Sequence, residues 1–79
     1  MERITKDEAI TLENNKEYYV VEIVEQDEKR YLYLVNEEEA DVIVAEEIIE
    51  GEEITIETLD DIEKIKEIVK IVTERLNKN

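Results

Sequence analysis

Histidine and cysteine are both missing from the 79 residues, and serine, proline, tryptophan and phenylalanine are missing with them. Without histidine the chain lacks the commonest general base and the commonest zinc ligand. Without cysteine it has no disulfide and no thiolate chemistry. No apolar run approaches the length of a membrane span, and Met1 to Ile10 is too charged for a signal peptide. These absences lead to the expectation of a soluble, cytoplasmic protein that is not an enzyme, with no cofactor and no metal. At 79 residues it is expected to be one domain, near the lower size for folding without staples.

What is present is negative charge. There are 24 acidic against 10 basic side chains, a net charge of −14. From Asp60 onward five acids meet five bases, so the whole excess falls on residues 1–59. Acidity with few aromatics also suits disordered chains. Here 42% of residues are hydrophobic and regularly spaced, which argues for a packed fold.

The spacing gives the elements. Ile62, Ile65, Val69, Val72 and Leu76 recur at steps of three and four, the period of one helical stripe. Ile68 widens that stripe, and Ile71 lies well off its centre. Thr58, Asp60 and Asp61 are candidate N-caps, and the basic Lys70, Arg75 and Lys78 suit the far end of the helix dipole. Before the helix, Ala9 to Glu13 alternates and runs into Asn14-Asn15, a turn signal. Glu17 to Glu25 and Arg30 to Val35 are rich in Tyr, Val, Ile and Leu and form the clearest hairpin. Val42 to Ile49 is a further strand, in which Glu46 and Glu47 break the apolar phase and predict a bulge or bend. Gly51 marks a turn before Glu53 to Glu57.

The expected fold is α+β: a small antiparallel, curled sheet of four to five strands, followed by one C-terminal amphipathic helix packed on it. Residues 1–8 are expected to be a leader, 9–57 the sheet and 59–77 the helix.

Paired carboxylates serve glycosidases as proton donor and nucleophile. With 24 acids in 79 residues, adjacency alone carries no such message. The run Glu37, Glu38, Glu39 and Asp41 lacks the alternate spacing and central glycine of a calcium loop. Tyr18, Tyr19, Tyr31 and Tyr33 lack the basic groove that base stacking would need, so direct nucleic-acid binding is not expected. The expected site is an acidic face made of Glu22, Glu37, Glu38, Glu39, Asp41, Glu46, Glu47, Glu50, Glu52, Glu53 and Glu57. Alternate strand positions lie about 6.6–7 Å apart, close to the separation of neighbouring phosphates. In size and charge the chain resembles small phage-encoded inhibitors that occupy basic nucleic-acid-binding clefts. The implied partner is a protein with a basic surface, such as a nucleic-acid-binding protein. The alternative is a homodimer or other assembly, with Ile68 and Ile71 as contact and the acids serving solubility. Crowding of carboxylates predicts raised folded pKa values.

The order Ile10-Thr-Leu-Glu-Asn-Asn-Lys-Glu-Tyr-Tyr-Val-Val, followed by Tyr31-Leu-Tyr-Leu-Val and an acid-rich loop, resembles a family of small acidic proteins from Gram-positive bacteria or their phages. The resemblance covers residues 9–50. It implies a non-enzymatic role and carries no catalytic signature; the basic-leaning helix departs from the pattern.

Overall fold

The computed structural model describes residues 3–78. Five strands follow one another as a meander, β1 (Ala9–Thr11), β2 (Glu17–Gln26), β3 (Lys29–Asn36), β4 (Asp41–Glu50) and β5 (Glu53–Thr58), and α1 (Ile62–Leu76) closes the chain. Every neighbouring pair is antiparallel, in the order β1-β2-β3-β4-β5. Short turns make this order the natural one. Asp27 and Glu28 both take positive φ (54° and 65°) in the two-residue β2–β3 connection, and Gly51 does so (63°) between β4 and β5.

The sheet is curled, and its two faces bury separate clusters. On the inner face Tyr18, Val20, Leu32, Leu34 and Ala45 pack with Ile4, flanked by Ile10, Leu12, Ile23, Ile43, Ile54 and Ile56. On the outer face Val24, Tyr31 and Val44 meet Ile68 and Val72 of α1. Fully burying one such aliphatic side chain contributes roughly 1.5–3 kcal/mol.

The helix begins where its cap allows. Asp61 accepts from Glu63 N–H at 3.1 Å and Lys64 N–H at 3.4 Å. The apolar stripe is centred differently from its period alone. Ile68 and Val72 are fully buried and Ile65, Val69 and Ile71 half-buried, but Ile62 and Leu76 are 66% and 53% exposed. α1 packs on β2, β3 and β4 through the middle of its stripe, and Ile62 and Leu76 lie outside that contact.

Two expectations are corrected. The bulge lies in β2, where the register slips between Val20 and Glu22, and not in β4, whose pairing with β3 runs unbroken from Arg30↔Glu47 to Asn36↔Asp41. The slip moves the inward set of β2 from Tyr18 and Val20 to Ile23, and it leaves Glu22 on the helix side. Glu46 and Glu47 keep strict alternation, and Glu47 fills an inward position that an apolar residue would normally take. Of the supposed leader, residues 3–8 are part of the fold: Ile4 is only 6% exposed, and Asp7 N–H donates to Val20 O at 2.7 Å. Residues 1 and 2 lie outside the described segment.

Candidate partner-binding surface

The acidic residues singled out by sequence fall into three groups with different surroundings. The first is internal. Glu47 has a fully buried side chain that Arg30 Nη1 approaches at 3.1 and 3.2 Å, while Arg3 Nε donates to it at 2.8 Å and Ile4 N–H at 3.2 Å. Arg30 Nη2 then donates to Ile4 O at 2.9 Å, so one carboxylate ties the N-terminal segment to β3 and β4. Burial pushes the Glu47 carboxyl pKa up. The hydrogen bonds from Arg3 and Ile4 and the charges of Arg30 and Arg3 outweigh it, and the net result is a pKa below the usual value. The rise expected from crowding is therefore reversed at this residue. Glu22 is also buried, with Arg75 Nη1 at 3.7 Å and Lys6 Nζ at 3.5 Å. Arg75 further donates to Ile23 O at 2.7 Å, fastening the end of α1 to β2. Neither Glu22 nor Glu47 projects from an acidic face. The sequence shows these carboxylates but not their cations, which come from positions 16 to 53 residues away.

The second group, Glu37, Glu38, Glu39 and Asp41, sits at the β3–β4 turn. Asn36 fixes this turn by accepting from Glu39 N–H at 2.9 Å. Glu39 is already paired with Lys16, whose pKa is raised by that hydrogen bond and by the carboxylate's charge.

The third group is on the β4–β5 hairpin. Alternation from Val44, which faces α1, puts Glu46 and Glu50 on the same side. The register sets Glu46 directly opposite Glu57 and Glu50 directly opposite Glu53. Glu52 stands at the turn beside Gly51. Among the described residues none of these five has a salt-bridge partner. α1 does not reach β5; Glu50, Glu53 and Glu57 are exposed, while Glu46, opposite Tyr31 of β3, is half-buried. Like charges directly opposite across a ladder destabilise it, and here two such pairs occur four residues apart. That separation is about 13–14 Å along the strand, roughly twice the expected phosphate-like step.

The helix contact suggested by sequence is also relocated. Ile68 is fully buried in the protein and Ile71 half-buried against the same cluster. Open apolar surface is found instead at the helix ends and in a row across the sheet beyond α1, with Tyr19 39% and Val42 47% exposed on either side of Val35.

Among the described residues no cluster of acids is arranged to hold a metal ion, and no helix is long and apolar enough to cross a membrane. Comparison with protein-family models, curated proteins and solved structures gives no match.

Proposed function

We propose that this is a non-enzymatic binding protein whose recognition surface is the β4–β5 hairpin and whose partner is a protein with a basic surface. One observation carries the reading: Glu46, Glu50, Glu53 and Glu57 form two opposed like-charge pairs with no salt-bridge partner among the described residues. Elsewhere in the same sheet, an inward carboxylate is met by two cations. A basic partner would relieve the repulsion on the hairpin, and the charge would steer its approach. A cytoplasmic partner that itself binds nucleic acid has the required surface chemistry. The hairpin would then compete for that protein's basic site through paired carboxylates, since it does not form a continuous phosphate-like row.

The test is recovery of partners from a cell extract at two salt concentrations, with the wild-type chain and with a variant carrying Gln at positions 46, 50, 53 and 57. The expected result is a basic protein that is retained at low salt, lost at moderate salt and not retained by the variant. Recovery of the same proteins by both chains, or of proteins without basic surfaces, would overturn the reading.

A further inference from the structure

The curl of the sheet is unfinished. Its two edges are β1 and β5, and no Cα of one comes within 8 Å of a Cα of the other. Hydrogen-bonded neighbours would be about 4.8 Å apart. In a meander alternate strands reverse, so β1 and β5 run in the same direction, and one more strand between them would be antiparallel to both.

Among the described residues, the outward backbone of both edges has no hydrogen-bond partner. Leu59 N–H donates to Val44 O at 3.0 Å. In this register Glu53, Thr55 and Glu57 bond to β4, and Ile54, Ile56 and Thr58 turn their N–H and C=O groups outward. On β1, the bonds from Val20 N–H to Glu8 O and from Leu12 N–H to Lys16 O leave Ala9 and Thr11 facing outward. Between these edges lies a groove of about 390 Å³, with Leu12, Ile43 and Ile56 as its apolar lining and Glu13 and Glu57 among its charged residues. A second copy of β5 paired antiparallel about Thr55 would set Glu53 against Glu57, which disfavours self-pairing in that register.

We propose that the β5 edge takes up an extended, basic segment of a partner protein as a sixth strand, antiparallel to β5 and β1. This rests on the hairpin being a surface for a basic partner, and it adds the mode of binding. The register defines the segment. Basic residues four apart stand opposite Glu57 and Glu53, and apolar residues opposite Ile56 and Ile54 turn inward toward Leu12 and Ile43.

The probe is a synthetic peptide with Lys-Val-Thr-Val-Lys flanked by threonines, titrated into the full chain by calorimetry and by amide hydrogen exchange. Binding is expected to protect the amides of Ile54, Ile56 and Thr58. Affinity is expected to fall at least tenfold when the peptide amides facing β5 are N-methylated, and at least tenfold for the variant E53K/E57K with the unmodified peptide. If the N-methylated peptide binds as well as its parent, the attraction is charge alone: strand addition is overturned while the acidic surface stands. If neither peptide binds, strand addition is likewise overturned, and the surface is judged by its own salt test.

Discussion

The strands beneath α1 and the hairpin beyond it treat negative charge in opposite ways. Within β2 and on the inner side of β4, Glu22 and Glu47 turn away from water, and each is met by two cations. One residue from Glu47, on the other side of the same strand, Glu46 faces Glu57, and Glu50 faces Glu53 further along. Residue type is constant and position decides the role. A carboxylate facing the interior must be paired because an isolated buried charge is very costly. On the hairpin each opposed pair has at least one exposed carboxylate, Glu57 facing the half-buried Glu46 and Glu50 facing Glu53, so the pairs can be left opposed at a cost below about 1 kcal/mol.

The largest effect expected from this contrast is at Glu47. Glu47→Ala strands Arg30, whose side chain is mostly buried, and should cost about 3–5 kcal/mol in urea denaturation. A loss under about 1 kcal/mol would show that the clasp is incidental. The pH dependence of the same site sharpens the point. The folded pKa of Glu47 lies below its ordinary value, so its stabilisation is complete above the unfolded pKa and is lost as pH falls through the lower, folded one. The gap in urea midpoint between wild type and Glu47→Gln should hold from neutral pH to about pH 5 and shrink below about pH 4. A gap that widens on acidification would contradict the pairing.

Next in size is the seal over the outer face. Asp61 caps α1 by accepting two backbone N–H groups, and Asp61→Ala should cost about 1 kcal/mol in the same denaturation experiment. The smallest effect is on the hairpin and has the opposite sign. Glu57→Lys converts a like-charge pair into an attractive one and should stabilise by about 0.5 kcal/mol, a gain that added salt removes. A destabilised Glu57→Lys would mean that the opposed pair is not under repulsion.

These contrasts also mark how far the sequence could be read. Alternation in Tyr31-Leu-Tyr-Leu-Val and the three-four spacing from Ile62 to Leu76 were enough for the curled meander and its helix, because they are local signals of which side faces a core. The bulge was not legible. Val20-Val21-Glu22-Ile23-Val24 is apolar in both parities, so the slip leaves no trace in the pattern. Glu47 misled for a related reason: a charged residue at an inward position looks like an interruption until Arg30 and Arg3 are placed beside it. The acid-rich hairpin was legible in composition, and its opposed pairs were not, because they depend on the β4–β5 register. The outward backbone of β5 was hidden for the same reason, since which strand forms an edge is a property of pairing order.

The most direct test is thermal denaturation of Glu46→Gln and Glu47→Gln side by side at neutral pH and low salt. Neutralising Glu47 removes a buried ionic partner of two arginines, and neutralising Glu46 relieves its repulsion with Glu57. The melting temperature should fall well below wild type for Glu47→Gln and should equal or exceed wild type for Glu46→Gln. A comparable fall in both would contradict the division between carboxylates that hold the fold and carboxylates left open for a partner.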